Sequence, residues 1–180
     1  ELAAAHPEIK TFNLEGIDDP YASGKIDWTA FGFHGMIRTI SGDFFIDPYS
    51  RNSTSNYICY YVNDFKKEAQ YRIKEFGIRN SANQKHGFKN TQKSAANLLC
   101  AGTELRKYRL ALACTGEYAK AATGKTTPTK NEILSAVVTS VNRVDGIYET
   151  ELAIRMVLIA NEDTILFGDP LTDPFNGNDD

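Results

Sequence analysis

Apolar and polar positions over the first sixty residues predict a series of short strands. Residues 33–40 and 44–46 are apolar runs separated by Ser41-Gly42, which is a two-residue hairpin signal. Residues 57–62 form a third run, which is β-branched and aromatic as strands prefer. Residues 47–50 (DPYS) have the chemistry of a turn and are predicted to end the second run. Three successive runs predict an antiparallel meander, which needs a partner surface for stability.

The second part of the chain has the pattern of a strand, a helix and a strand. Residues 107–114 are almost continuously apolar, as is typical of a strand buried on both faces. Thr129 and Glu132 form a capping-box pattern, and apolar residues then recur at helical spacing, which predicts a helix over about residues 130–149. Gly146 is its weak point, since glycine in a helix interior costs about 1 kcal/mol relative to alanine.

Residues 153–160 predict a second strand, and residues 164–167 a third. A strand, a helix and a strand in succession predict a βαβ unit, with parallel strands and a right-handed crossover. The tail, residues 168–180, contains turn-forming residues and acids with nothing to bury. A domain ending there would leave one sheet face bare, so the pattern is that of a truncated domain.

A polar, basic segment separates the two parts. Residues 65–76 have the pattern of a short amphipathic helix, whereas residues 80–94 have few apolar anchors and predict a loop. The predicted organisation is therefore a β-rich region over residues 1–104, with a basic linker at 66–96, and a second region over residues 105–180. The predicted fold class is α+β, a β-rich meander followed by a βαβ unit.

Composition narrows the functional classes. Hydrophobic residues make up 42% and charged residues 24%, which is typical of a globular protein and excludes wholesale disorder. The net charge of −3 gives no basic surplus for binding nucleic acid, and no apolar run reaches the roughly 20 residues of a membrane span. The polar start at Glu1 lacks the features of a signal peptide and resembles the interior of a longer protein. Three cysteines are too few for a disulfide scaffold.

No complete active site is evident among the residues. Gly124-Lys125-Thr126 ends like a phosphate-binding loop, but Ala119 stands where the first glycine is needed. The histidines are scattered, and none begins a pair of ligands one helical turn apart: His6, His34 and His86. His34 is predicted to be a packed or partly exposed strand residue. The tail acids lack the alternation of a calcium loop and are predicted to be solvated turn residues.

Three segments of the second part carry a resemblance to a known family. They are residues 105–118 (LRKYRLALACTGEY), 141–149 (VNRVDGIYE) and 152–160 (LAIRMVLIA). This part resembles the opening of the reprolysin-like (adamalysin-type, metzincin) metalloprotease catalytic domain, most closely its bacterial members of the Bacteroidetes type. The first part resembles the propeptide of those proteins, in residues 6–12 (HPEIKTF), 32–37 (GFHGMI) and 45–49 (FIDPY).

The resemblance implies the precursor of a secreted zinc endopeptidase that acts on proteins or peptides. A His-Glu-x-x-His-x-x-Gly-x-x-His helix would supply the zinc ligands, and its place lies downstream of Asp180, in the remainder of the catalytic domain. No catalytic, cofactor-binding or metal-binding residue therefore carries over to this chain, which is expected to be inactive alone. The resemblance leaves calcium open, because Leu110 falls near the place where some relatives have a ligating glutamate.

Cys100 is the one candidate site residue. In several relatives a propeptide thiolate occupies the open zinc position and keeps the enzyme latent, and Cys100 lies just before the catalytic strand. Its flanking residues differ from the animal switch motif. A Cys100–Cys114 disulfide and an inert buried thiol are the two alternatives.

The resemblance makes residues 1–104 a latency-maintaining propeptide and residues 66–93 the expected place of activating cleavage, because exposed polar loops are readily cut. The alternative, from another functional class, is a non-catalytic secreted binding or adhesion module. In that case the meander and the βαβ unit would pack as one domain.

Overall fold

The computed structural model describes residues 2–51, 53–64 and 104–175. A short helix, α1, spans Leu2–Ala5. Five strands follow in the order β1 (Lys10–Glu15), β2 (Ser23–Thr29), β3 (Gly32–Arg38), β4 (Phe44–Ser50) and β5 (Ser53–Tyr61). Each pairs antiparallel with the next, so the sheet has the order β1-β2-β3-β4-β5. The predicted meander is confirmed.

The second part contains the predicted βαβ unit. Its elements are β6 (Arg106–Leu110), α2 (Gly116–Thr123), α3 (Lys130–Leu152) and β7 (Ile154–Leu158). Strands β6 and β7 pair in parallel, from Arg106 opposite Ile154 to Leu110 opposite Leu158. An antiparallel sheet followed by a parallel unit with helices confirms the α+β fold class. The amphipathic helix and loop predicted between residues 65 and 94 lie outside the described residues.

Several predicted boundaries in the first sheet were wrong. Asp47 to Ser50 do not form a turn, because β4 continues through them. Pro48, which lacks an N–H group, sits opposite Tyr57 where the register with β5 shifts, and such irregularities tolerate proline in a strand. A turn forms at Ser41-Gly42, where Gly42 has a φ of +133° and donates its N–H to the carbonyl of Thr39 at 3.2 Å. The connection is longer than the predicted two residues, because β3 ends at Arg38 and β4 begins at Phe44. Strands β1 and β2 were not predicted, although polar and apolar residues alternate in both.

Two predictions about the parallel strands were also wrong. The strand β6 ends at Leu110 and is largely exposed, with Tyr108 52% exposed, so it is not buried on both faces. The third strand predicted at residues 164–167 is instead a 3-10 helix, Glu162–Ile165, followed by a single bridge between Cys114 and Leu166. The covering layer that a fully buried parallel strand requires is not present among the described residues.

The long helix α3 organises the core. Its capping box is confirmed, since the Thr129 hydroxyl accepts from the Glu132 N–H at 3.3 Å and the Glu132 carboxylate accepts from the Thr129 N–H at 2.9 Å. It ends at Ala153 in the left-handed conformation, one turn beyond the predicted end. The core lies between α3, α2 and the C-terminal ends of the parallel strands, and its buried residues are Cys114, Ala119, Ile133, Leu134, Val137, Val138, Val141 and Leu166.

The five-stranded sheet turns its polar face toward α3. In β2 the alternate residues Lys25, Asp27 and Thr29 are buried, whereas Trp28 on the opposite face is 54% exposed. That opposite face carries cross-strand aromatic contacts, Trp28 with Phe33 at 6.5 Å and Phe33 with Tyr57 at 6.1 Å between ring centroids. Most sheets that are solvated on one face show the reverse pattern. The contacts between this sheet and α3 are therefore largely polar.

The tail is packed more closely than predicted. Asp173 is only 5% exposed, and its carboxylate accepts from the Gly116 N–H at 2.8 Å, at the start of α2. Phe175 packs edge-on against Phe167, with 5.9 Å between ring centroids. The prediction that this tail has nothing to bury was wrong for residues 168–175.

Replacing Gly116 with alanine is expected to destabilise the protein by about 1–3 kcal/mol, the usual cost of overpacking. A Cβ atom at Gly116 would lie 2.1 Å from the Pro170 nitrogen and 2.3 Å from the Asp169 carbonyl carbon, which are backbone atoms. The higher helix propensity of alanine, about 1 kcal/mol, does not offset this clash. Urea unfolding should show the loss. Gly35→Ala is the matched control, since its Cβ meets nothing closer than 3.4 Å; equal effects of the two variants would contradict the prediction.

Candidate functional site: the interface between the sheet and α3

Charged and polar side chains from both parts of the chain meet between the sheet and α3. We call this region the α3 interface. Its sheet residues are Lys25, Asp27, Arg38 and Asp47, and its α3 residues are Thr139, Asn142, Arg143, Asp145, Glu149 and Glu151. Strand alternation presents the first group, and helical spacing presents the second.

Lys25 is the centre of the interface. It is 6% exposed, and its Nζ donates to Glu149 Oε1 and to Asn13 Oδ1, both at 2.6 Å. Its distance to Asp145 Oδ2 is 3.5 Å. A Cβ at Gly146 would lie 2.9 Å from Lys25 Cγ, so glycine at this position in α3 leaves room for the lysine stem. The residue that looked like a weakness in the helix is therefore required by the packing of Lys25.

The two acids next to Lys25 also hold β7. Asp145 Oδ1 accepts from the Met156 N–H at 2.7 Å, and Glu149 accepts from Arg155, whose Nη2 lies 3.1 Å away. Burial raises the pKa of Asp145, and the neighbouring Glu149 adds to that effect. Burial also acts to raise the pKa of Glu149, but hydrogen bonds from Arg155, Lys25 and Asp145 outweigh it and lower the pKa to about 2. One buried cluster thus connects β2, α3 and β7.

Asp27 provides a second buried contact with α3. Its carboxylate, 2% exposed, accepts from the Thr139 hydroxyl at 2.7 Å and from the Asn142 amide at 3.3 Å. His34 Nδ1 lies 3.2 Å from the same carboxylate. His34 belongs to β3 and its side chain is 12% exposed, which confirms that it is a packed strand histidine.

Two further ion pairs lie at the edges of the interface. Arg143 of α3 pairs with Asp47, and its guanidinium stacks 4.7 Å from the centre of the Phe45 ring. Tyr60 donates to Asp47 at 2.8 Å, and burial together with that carboxylate raises the pKa of Tyr60 to about 12. Arg38 Nη2 donates to Glu151 Oε1 at 3.0 Å.

A cavity of about 500 Å³ opens beside the Lys25 cluster, between α1 and β1 on one side and α3 and β7 on the other. Its lining includes the apolar residues Val138, Val141 and Leu158 and the basic residues Arg109 and Arg155. The cavity therefore lies against the same helix face that contacts the sheet.

No metal centre is present in the part of the chain that the structure describes, where no group of three or more His, Cys, Asp or Glu side chains converges. His6 lies 3.6 Å from Glu8, and His86 lies outside the described residues. The residues present therefore do not fit a zinc site. Residues 2–51, 53–64 and 104–175 also contain no helix long and apolar enough to cross a membrane.

Gly124, which began the rejected phosphate-loop signal, caps the C-terminus of α2. It adopts a φ of +70°, in the left-handed conformation, and donates its N–H to the Lys120 carbonyl at 2.9 Å. The next residue, Lys125, pairs with Glu132 of the capping box.

Of the three cysteines, the structure describes Cys59 and Cys114. Cys100, the candidate for a latency switch, lies outside the described residues. Cys114 is a buried free thiol whose Sγ lies 3.8 Å from the Phe167 carbonyl, and burial raises its pKa. Cys59 is a free thiol on the exposed face of β5.

Glu162 is a buried acid away from the α3 interface. Its burial predicts that the stability of the protein depends on pH. Its side chain is fully buried, one carboxyl oxygen accepts from the Leu112 N–H at 2.6 Å, and burial raises its pKa above the ordinary 4.5. Because the folded protein then favours the protonated acid, this group's contribution to stability declines as the pH rises from 4.5 through the raised pKa.

Replacing Glu162 with glutamine is therefore expected to make the protein progressively more stable, relative to the wild type, as the pH rises to 7. Urea unfolding at several pH values measures the difference. Glu117→Gln, at an exposed position in α2, is the control. A difference between wild type and Glu162→Gln that does not change with pH would contradict the prediction.

Comparison with known proteins gives one match. No curated protein and no solved structure matches the chain. Residues 104–180 match the family described as Metallo-peptidase family M12B Reprolysin-like. The match covers β6, α2, α3 and β7, and so includes the helix that contacts the N-terminal sheet. The C-terminal part of this chain, residues 104–180, thus resembles a reprolysin-like domain of metallopeptidase family M12B.

Proposed function

We propose that this chain is part of the precursor of a secreted zinc-dependent endopeptidase, in which residues 1 to about 104 are a propeptide that keeps the protease latent. The observation that carries the proposal is the α3 interface, through which the N-terminal sheet contacts the reprolysin-like domain by buried ion pairs. Interfaces between parts that later separate are more polar than a domain core. An interface built on Lys25, Asp27 and Asp47 has that character.

Zinc chemistry is assigned to the remainder of the catalytic domain. In such an enzyme the metal activates water for hydrolysis of proteins or peptides. Residues of this chain would contribute the parallel strands and α3, and would hold the propeptide. Calcium binding is not part of the proposal.

The test begins with the coding sequence downstream of Asp180, which should contain a His-Glu-x-x-His-x-x-Gly-x-x-His stretch within about a hundred codons. The full-length protein should then be purified uncut and after cleavage within residues 66–93. We expect chelator-sensitive peptidase activity only after cleavage, and none from the 180-residue chain alone. Chelator-sensitive activity of the isolated chain, or an equally active uncut precursor, would refute the proposal.

Cys100 is proposed as a latency switch within this precursor, because a thiolate is a soft ligand suited to zinc. Cys100→Ala in the zinc-loaded full-length precursor should raise the activity of the uncut protein. Cys59→Ala is the matched control. Unchanged latency of the Cys100 variant would remove the switch and leave the inert-thiol alternative, because Cys114, the partner of the alternative disulfide, is a free thiol.

One observation favours the alternative, a non-catalytic secreted binding or adhesion module. The helix α3 packs against β2 as well as β7, so residues of both parts share buried contacts as they would in one domain. The downstream sequence separates the two proposals, since a stop codon at Asp180 would remove the enzyme.

A further inference from the structure

The contacts that join the sheet to α3 are ordered by charge along the helix. At the middle of the helix, the sheet presents two acids: Asp27, which accepts from Thr139 and Asn142, and Asp47, which pairs with Arg143. Toward its C-terminal end, the sheet presents two bases: Lys25, which pairs with Asp145 and Glu149, and Arg38, which pairs with Glu151. The sheet therefore presents acids to the hydrogen-bond donors and the base of α3, and bases to its acids.

The base at the end of the helix also matches the helix dipole, since Arg38 pairs with Glu151 in the last turn, where bases are favourable. Docking α3 in the opposite direction would bring Arg143 toward the bases, and Glu149 and Glu151 toward the acids. Like charges in a desolvated interface are costly, so the arrangement selects one direction and one register.

Apolar contacts between the sheet face and α3 are few, although Leu2 and Ile9, which precede the sheet, pack against the apolar core of the C-terminal part. Met36 is the one buried apolar residue among the described residues of the sheet, at 3% exposure, and Phe45 contacts α3 by stacking on Arg143. The apolar side chains of the sheet lie mainly on its other face. Because apolar burial is not directional, the ion pairs and hydrogen bonds determine which helix fits.

We infer that the polar face of the N-terminal sheet is a recognition surface for one helix, α3 of the reprolysin-like domain, and holds it as a separate polypeptide once the chain is cut between residues 64 and 104. The partner that fits is a helix carrying a neutral donor, a base and then acids in the order Asn142, Arg143, Asp145, Glu149, Glu151. This inference rests on the proposed function only in treating the two parts as separable. Its test requires no catalytic activity.

The experiment cuts the full chain at a specific protease site inserted between residues 64 and 104, and follows the two pieces by size-exclusion chromatography on serial dilution. We expect the wild-type pieces to elute together at micromolar concentration in a 1:1 complex. Glu151→Arg places a second base beside Arg38 and should weaken the complex about tenfold, which corresponds to about 1.4 kcal/mol. Glu151 is 51% exposed, so the uncut variant should still fold.

Two further variants show whether the effect comes from the pair. In an Arg38→Gln background the like-charge contact is absent, so Glu151→Arg should then weaken the complex much less. Lys120→Glu is the matched control, since Lys120 belongs to α2, away from the α3 interface, and its Nζ lies 3.9 Å from the carboxylate of Asp169. It should leave the complex unchanged.

Separation of the wild-type pieces at micromolar concentration would overturn the inference. So would an effect of Glu151→Arg no larger than that of Lys120→Glu, or one that persists fully in the Arg38→Gln background. These outcomes are independent of the proposed function, which fails instead if the full-length protein lacks chelator-sensitive peptidase activity.

Discussion

Replacing Lys25 with methionine is expected to lower the free energy of unfolding by about 3–5 kcal/mol, the usual cost of removing one partner of a buried ion pair. Methionine preserves the length and the apolar stem of lysine, so the loss comes from the charge. Asp145, 7% exposed, and Glu149, whose side chain is 17% exposed, would keep their positions without the ammonium group between them. The variant is unstable mainly because the buried carboxylate charge next to position 25 is left uncompensated, and less because the attraction to Lys25 is lost.

Urea unfolding at pH 7 can be followed through Trp28, which is the sole tryptophan of the chain and lies in the same strand as Lys25. Lys10→Met is the matched control, because Lys10 is an exposed residue of β1. It should change the free energy of unfolding by less than about 0.5 kcal/mol, as is usual at the surface. A Lys25→Met variant as stable as Lys10→Met would show that the buried cluster contributes nothing to folding.

Acid should remove about 3 kcal/mol of stability through Glu149 alone. Its pKa falls from an ordinary 4.5 to about 2 in the folded protein, and each pKa unit corresponds to about 1.4 kcal/mol. Since the folded pKa lies below the unfolded one, this stabilisation is complete above pH 4.5 and is lost as the pH falls toward 2. The hydrogen bonds from Arg155 and Lys25, which require the ionised carboxylate, are its physical source.

Glu149→Gln removes the titration while keeping the shape of the side chain. The wild type should be more stable than this variant at pH 6, and the two curves should converge as the pH falls to 2. Glu15→Gln, at an exposed position on β1, controls for the loss of one surface acid and should run parallel to the wild type. Wild-type and Glu149→Gln curves that stay parallel would mean that the carboxylate is not stabilised by the fold.

The candidate site was less predictable from the sequence than the fold. Lys25, Asp27 and Asp145 carry no motif, and a lysine between polar and apolar neighbours is normally a surface residue. One signal was available: Asn142, Asp145 and Glu149 recur at helical spacing beside the apolar stripe of α3, and Gly146 interrupts them. A polar stripe with a glycine is equally typical of a solvated helix face, so its partner could only be identified in three dimensions.

What the sequence determined by itself is local. Thr129 and Glu132 start α3 because their side chains satisfy backbone groups a few residues away. The runs predicted at residues 33–40, 44–46 and 57–62 form strands over most of their length because of their alternating or β-branched residues. The resemblance of residues 105–118 also depends only on residue order, and the family match confirms it.

Tertiary structure alone decided which face of each element is buried. Residues 107–110 look like a fully buried strand but remain exposed, because strand burial depends on neighbouring layers that the local pattern does not specify. Conversely, Lys25 and Asp27 look like surface residues but are buried, because α3 supplies oppositely charged or hydrogen-bonding partners more than a hundred residues away in the chain. Buried charge is tolerated only where such partners converge, and that convergence is a property of the folded chain.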